Sequence, residues 1–334
     1  MYRSLNWIKD MKRFEKASTS RAVWQLVNTF IPYTALWALM VLMIRGGVPY
    51  VFTLIVSIPA SLFLVRLFIF FHDTCHGSFF GSSRANRIAG RMLGILFFTS
   101  FDEFRYTHGI HHATVGDLDR RGMGDIWTMT AGEYRAAGLK TRIAYRLYRQ
   151  PFVMFVLGPV YTFLILNLIP KRGHGWARFK GIILNDAGIV LLAGSLCLTI
   201  GWQTYLMIQL PVILIAGMTG IWLFYVQHQF EPSYWARHLE WDAVTAAMQG
   251  SSYYRLPKLL QWTTGNIGLH HIHHLRPRIP NYNLQACFLQ IPEVQQVKPL
   301  TFLRSLRSLR MNLWDEKKRT LISFRQFHRQ LSAG

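Results

Sequence analysis

Val48-Pro-Tyr-Val-Phe-Thr-Leu-Ile-Val-Ser-Ile-Pro-Ala-Ser-Leu-Phe-Leu-Val-Arg-Leu-Phe-Ile-Phe-Phe71 runs directly into His72-Asp-Thr-Cys-His76. The apolar run is long enough to cross the roughly 30 Å hydrocarbon core of a bilayer as a helix. Its one charge, Arg66, lies near the end, where a long side chain can reach toward headgroups. If the helix continues through His76, the two histidines, four residues apart, lie on one face. The stretch therefore reads as a membrane-crossing helix that delivers two imidazoles just beyond the membrane face.

The rest of the chain fits that reading. Of its 334 residues 51% are hydrophobic, 14% aromatic and 16% charged, the last well under the roughly 25% usual in soluble domains. The apolar residues come in long blocks, which makes this an all-α membrane protein. Val23 to Ile44, with Pro32 as a candidate kink, precedes the quoted run across the turn Arg45-Gly-Gly-Val-Pro49. Ala187–Ile200 and Tyr205–Tyr225 flank a tight Gly201-Trp202 turn. The sequence thus predicts a four-span bundle of two hairpins, with spans near 23–44, 48–71, 187–200 and 205–225. An interfacial or packed helix is expected over Ile88–Phe98, and a helical cap on the water side.

Pro151–Pro170 has the length of a further span, yet both flanks are basic, the second being Lys171-Arg-Gly-His-Gly-Trp-Ala-Arg-Phe-Lys180. A crossing there would put the third histidine group described below across the bilayer from the first two. The segment is therefore expected to be re-entrant or interfacial. Residues 1–22 read as a basic segment lying on the membrane surface, 23–290 as the membrane domain and 291–334 as a basic tail. The net charge of +21 belongs to these extramembrane stretches, which favour the cytoplasmic side and anionic headgroups. No basic and aromatic groove pattern suggests nucleic acid. The polar, basic N-terminus is not a cleavable signal peptide. Cys75, Cys197 and Cys287 make no disulfide framework.

Histidine carries the chemistry. Besides His72 and His76 there are His108-Gly-Ile-His111-His112 and His270-His-Ile-His273-His274, and His228 follows the last span as His72 follows the first hairpin. Buried and unpaired, or protonated and mutually repelling, so many imidazoles would be costly; a metal removes both problems, because neutral imidazole is a common ligand. A tetrahedral zinc needs about four ligands. Nine imidazoles, with His271 set aside, suggest two metals, and the histidines suffice without Cys75. Ligand type alone admits iron, copper, nickel or zinc. A site at the end of a small membrane bundle faces apolar chains, which offer C–H bonds, and cleaving those calls for redox metals and oxygen. That favours two irons.

The three histidine groups resemble the histidine boxes of the membrane fatty acid desaturases. Gly116-Asp117, Gly124-Asp-Ile-Trp127, Trp222-Leu-Phe-Tyr-Val-Gln-His228-Gln-Phe-Glu231 and Asn266 through Tyr282 are similar to the bacterial omega-6 (delta-12 type) branch, and the resemblance covers roughly residues 20–290. It implies a non-haem di-iron centre, dependence on O2, and electrons from a ferredoxin or cytochrome b5. It implies His72, His76, His108, His111, His112, His228, His270, His273 and His274 as iron ligands, with His271 behind them. Where some members carry an Asn four residues before the isolated histidine, this chain has Phe224. The implied reaction removes two hydrogens from an acyl chain, on a lipid, coenzyme A, a carrier or free, to leave a cis double bond, in a bacterial inner membrane with termini and site cytoplasmic.

Ligating imidazoles usually donate their second N–H to a carboxylate or carbonyl, so Asp73, Asp102, Asp117, Asp125 and Glu231 are candidate supports. Trp222, Phe224, Tyr225 and Trp262 either line an acyl tunnel or form an interfacial aromatic belt. The same scaffold serves acyl or alkane hydroxylases, carotenoid ketolases and 1-alkene-forming decarboxylases. Two other classes fit less well. Haem takes one or two axial histidines within spans, and a metal transporter needs ionisable groups midway through them; neither pattern is present.

Overall fold

The computed structural model describes residues 6–171 and 173–332. Among these, four helices are long and apolar enough to cross a membrane, and they form two hairpins. After a short first helix, α1 (Asn6–Asp10), the first hairpin is α2 (Thr19–Arg45) and α3 (Tyr50–His76). The chain reverses at Gly46-Gly47, where Gly47 has φ +71°, a conformation glycine adopts without steric cost. Pro32, Pro59 and Pro211 sit inside the spans without ending them. α3 does not stop at the edge of its apolar run. It continues through both histidines and ends only at Gly77, in the left-handed conformation, whose N–H returns to the helix carbonyls.

α4 (Ser83–Leu96) and α5 (Phe101–Thr114) pack on α3. The close approach is made by glycine. A Cβ at Gly90 would stand 2.3 Å from the Phe101 ring and 2.6 Å from Thr74 Oγ1. A capping box opens α6 (Ala131–Ala136), with the Thr130 side chain and Glu133 bonded to each other's backbone, and α7 (Leu139–Tyr148) follows.

The 151–170 segment is broken. A π-helical turn over Val153–Leu157, α8 (Gly158–Leu164) and a 3-10 turn at Leu166–Leu168 succeed one another, and the stretch is bent by 69° from α7. On its near side the Tyr148 hydroxyl accepts from the backbone of Trp127 at 3.2 Å. On its far side Asn167 donates to Thr99 at 2.9 Å, and His174 and Arg178 approach Glu103 at 3.4 and 3.6 Å. The two flanks thus contact α5 and the loops on either side of it, and the bent stretch has the form of a broken span or a re-entrant loop.

The second hairpin is α9 (Trp176–Ile200) and α10 (Trp202–His228). α9 begins before the expected residue 187, because the Trp176–Lys180 stretch is helical too, with Arg178 stacked 3.9 Å from the Tyr106 ring. Outward residues such as Leu42, Val190, Leu191 and Leu198 are exposed, as apolar side chains facing lipid are.

The cap contains α11 (Ala243–Gly250), α12 (Lys258–Thr263), α13 (His270–Leu275), α14 (Asn281–Gln290), α15 (Phe302–Ser305) and α16 (Phe324–Ser332). The protein is mostly helical as expected, with two small sheets added. β1 (Met129–Thr130) pairs in parallel with β4 (Leu313–Asp315), which pairs antiparallel with β5 (Thr320–Ile322); β2 (Tyr253–Arg255) pairs in parallel with β3 (Pro299–Thr301). The C-terminal stretch is therefore not simply a solvated basic cap, since Leu313 and Trp314 are fully buried.

Two expectations need correction. The N-terminal segment does not lie on a surface: Trp7, Met11 and Phe14 are buried with Ile272, Leu284 and Cys287, because their apolar surface finds a partner within the protein. Arg66 does not extend toward headgroups. It is 3% exposed, donates Nε to Thr29 Oγ1 at 3.1 Å and Nη1 to the Trp262 carbonyl, and stacks 3.8 Å from the Trp262 ring.

The contact at Gly90 gives a direct test of the α3–α4–α5 junction. Gly90→Val should cost about 1–3 kcal/mol by overpacking and lower the melting temperature in detergent, whereas Gly81→Ala, with nothing within 4 Å of its Cβ, should leave it unchanged.

Candidate metal centre

Four elements deliver the nine histidines. The last turn of α3 carries His72 and His76, α5 carries His108, His111 and His112, α10 ends on His228, and α13 carries His270, His273 and His274. α13 is only six residues long and is held by its surroundings. A Cβ at Gly265 would meet Ile69 of α3 at 2.8 Å and one at Gly268 would meet the Tyr254 carbonyl at 2.3 Å. These glycines let the backbone before α13 lie directly on α3 and β2.

The nine separate into two groups. His72, His76, His108, His112 and His273 form one; His111, His228, His270 and His274 form the other; within each, one ring nitrogen per residue lies within 4.8 Å of all the rest, and either group could hold a metal ion. The groups adjoin, the His112 and His274 rings being stacked at 4.1 Å. α5 and α13 serve both.

Tautomers follow from the partners. His111 Nδ1 donates to Asp125 at 2.6 Å and His228 Nδ1 to the Gly250 carbonyl at 3.2 Å. A carbonyl can only accept and an ionised carboxylate can only accept. Both Nε2 atoms therefore present lone pairs, and they face each other at 3.2 Å. His270 Nε2 stands 3.0 Å from the same His228 nitrogen. In the five-membered group His108 Nε2 is 2.8 Å from His72 Nε2 and 3.1 Å from His112 Nε2, which is 3.1 Å from His273 Nε2.

One ring nitrogen cannot satisfy two such neighbours by hydrogen bonding. A cation between them can. Separations of 2.8–3.2 Å, with metal–nitrogen bonds of about 2.1 Å, correspond to nitrogen–metal–nitrogen angles of roughly 90°. The donor set, all imidazole and buried or nearly so, fits two borderline transition-metal ions.

Burial, and then the neighbouring rings, push the pKa of His108, His112, His270, His273 and His274 well below the usual 6.5. These rings stay neutral and keep their lone pairs at neutral pH.

The candidate supports divide. Asp125 orients His111. Asp73 lies 3.5 Å from His72 Nδ1 and accepts from the Asn281 backbone at 2.7 Å and side chain at 2.9 Å, tying the first histidine pair to the segment after the third group. Asp102 pairs with Arg91, joining α5 to α4, Asp117 pairs with Arg120 and His238, and Glu231 accepts from the Leu321 backbone; these three have their partners away from the ligand rings. His271 does not stand behind the centre either. It donates to the Val294 carbonyl at 3.0 Å and packs against Tyr253 and Phe288, as an ordinary core histidine.

Cys75 is buried among apolar side chains and belongs to neither group. Of the four named aromatics only Phe224 reaches the histidines, 5.1 Å from the His111 ring and 5.4 Å from that of His228. Tyr225 is buried and donates to the Ser308 carbonyl, Trp222 reaches Tyr254, and Trp262 covers Arg66. Phe104, stacked 5.0 Å from His108, was not singled out in the sequence, although it stands one helical turn before that histidine. The Gly250 carbonyl has no sequence signal at all.

Residues 47–299 match the family model described as "Fatty acid desaturase". The chain is 47% identical over 317 residues to a fatty acid desaturase of Bacillus subtilis, covering 95% of this chain and 90% of that one. It is 26% identical over 237 residues to an endoplasmic reticulum omega-3 fatty acid desaturase of Vigna radiata, covering 65% of this chain and 59% of the relative. It is 22% identical over 249 residues to the sn-1 oleoyl-lipid 12-desaturase of Synechocystis, covering 69% and 65%.

Two measurements test the centre. Asp125→Ala should weaken metal binding at the four-histidine group by about 10–100-fold, the usual loss when a ligand's outer partner goes, and leave the five-histidine group intact; cobalt titration of metal-stripped protein reads the two sites separately. In acid, the unfolded chain binds protons near pH 6.5 that the folded, metal-free rings refuse, so stability must fall as the pH drops below that value. The melting temperature of metal-stripped protein should therefore be lower at pH 5.5 than at pH 7.5, and added metal should raise it without narrowing the difference.

Proposed function

Since the chain belongs to the fatty acid desaturase family, an oxidoreductase family acting on fatty acyl chains, we propose that its nine histidines hold two non-haem irons and that it converts a membrane acyl chain to a cis-unsaturated one. The observation that carries the metal reading is the pair of His111 and His228 ring nitrogens facing each other at 3.2 Å, an arrangement that a metal ion between them would satisfy. Iron, with O2 and two electrons per turnover, would supply the oxidising power that an unactivated C–H bond demands.

The chain's own residues do the rest. Asp125 and the Gly250 carbonyl fix the tautomers of His111 and His228. Asp73 holds α3 to α14, so that His72 and His76 keep their register with His273. Phe104 and Phe224, against the rings of both groups, exclude water from the side from which an apolar chain would arrive. The exposed Arg142, Arg304, Arg307 and Arg310 give the cap a basic face, which favours an acidic ferredoxin or a cytochrome b5-type protein as electron donor. We read this face and both termini as cytoplasmic, at a bacterial inner membrane.

Position within the acyl chain is a finer matter. The omega-6 or delta-12 reading is supported by relatives of 22–24% identity named for that position, while the relative at 47% is named for none.

Gas chromatography with mass spectrometry of lipids from cells expressing the protein should reveal a new internal cis double bond, twelve carbons from the carboxyl end if the positional reading holds. An added oxygen, or a shortened 1-alkene, would overturn desaturation itself. His108→Ala should abolish the product and lower the iron content of the purified protein. Turnover with a ferredoxin should slow as ionic strength rises; indifference to salt would remove the basic face as its dock.

A further inference from the structure

Arg66 is a buried guanidinium with no acidic partner among the described residues. It forms part of the wall of a cavity of about 590 Å³ between α2, α3, α12 and α14, beside the ends of the spans that lead to the histidines. Arg21 and Lys258 line the same cavity, and so do Trp24, Asn28 and Trp262; no Asp or Glu does. Arg21 is occupied by neutral groups only, donating to the Asn283 side chain at 2.7 Å and to the Tyr282 carbonyl. Three cations around one cavity without a carboxylate repel one another, and the buried one lacks a counter-charge. The neutral partners of Arg66 leave its charge uncompensated, and an ionisable side chain placed so in a membrane protein points to a ligand site.

The surroundings identify the ligand class. Trp24 is 65% exposed on the outer face of α2, between the likewise exposed Val23 and Val27, so the cavity opens beside a surface that faces lipid. Trp262 is partly exposed at its other edge. Tryptophans in such places occupy the membrane–water boundary. The cavity therefore meets water, cationic groups and hydrocarbon together. Arg66 also lies six residues before His72 on the same helix, about 9 Å along its axis.

We propose that this cavity binds the phosphate group of an anionic phospholipid and so positions a lipid-borne acyl chain relative to the histidine centre. This rests on the desaturase reading only for the fate of the acyl chain; the binding itself does not require it. Arg66 would meet the phosphate from within the protein, in a charge-assisted contact. Arg21 and Lys258 would meet it from the rim, and the acyl chains would leave between Trp24 and Trp262.

The test uses the full chain in an uncharged detergent, titrated with dioctanoyl-phosphatidylglycerol and followed by microscale thermophoresis. Saturable binding is expected, weakened about tenfold by Lys258→Glu or Arg66→Gln, the loss of one charged contact. Lys140→Glu, an exposed position outside the cavity, should leave it unchanged. Should Arg66→Gln fail to fold, Lys258→Glu, on an exposed helix surface, still decides the matter. Coenzyme A and inorganic phosphate are the competing arms. Displacement of the lipid by coenzyme A at equal concentration would reassign the site to a thioester carrier and overturn the lipid proposal. Displacement by inorganic phosphate would mark a site for the free anion and overturn it too. Binding that is absent, or unaffected by Lys258→Glu, would overturn it outright. None of these readouts needs metal or turnover, so a protein that binds the lipid yet yields no double bond would refute the desaturase reading alone.

Discussion

Imidazole nitrogens that face one another across about 3 Å are the constraint from which the rest of this structure follows. A metal ion among them would use their lone pairs, and protonation is resisted by burial and by the neighbouring rings. Each surrounding element can be understood as holding a ring in a position it would not keep by itself. α3 and α10 extend past their apolar runs to end on histidines. α5 lies along both groups. α13, too short to be stable alone, is clamped between α11, α14 and β2, and the segment before it packs closely through Gly265 and Gly268.

The clamp also explains the parts of the chain with no chemistry of their own. The N-terminal segment buries Trp7, Met11 and Phe14 in the cluster that includes Ile272 of α13. His271, the one histidine of its group turned away from the centre, faces that side and is anchored to the Val294 carbonyl. β4 pairs with β1, and the turn just before it supplies the Ser308 and Met311 carbonyls to Tyr225 and Arg149, which brings the tail against the end of α10. A membrane bundle of four helices has little core of its own at its water-facing end, and these terminal segments supply it.

The polar features of the bundle are arranged around the same end. The 151–170 segment breaks and returns to α5 and its neighbouring loop. Arg66 is drawn inward onto Trp262, which brings a charge close to the centre at a depth where an unpaired cation is costly. The cavity beside Arg66 joins that charge to the exposed tryptophans Trp24 and Trp262.

Spacing and apolar length alone determined the two hairpins and the histidine groups at their ends, because membrane spans and helical faces are local properties of a sequence. Spacing did not determine which imidazoles share a centre. On a helix, residues four apart differ by about 40° in direction and adjacent ones by about 100°. His108 and His112 accordingly point to one group while His111 points to the other, and His273 parts from His270 and His274 in the same way. Which face meets which partner is decided only when α3, α5, α10 and α13 are assembled. Tertiary contacts likewise selected Asp125 and Asp73 from five plausible acids, turned His271 into the core and enclosed Arg66, since each outcome depends on a residue in another element: His111, Asn281, Val294 and Trp262.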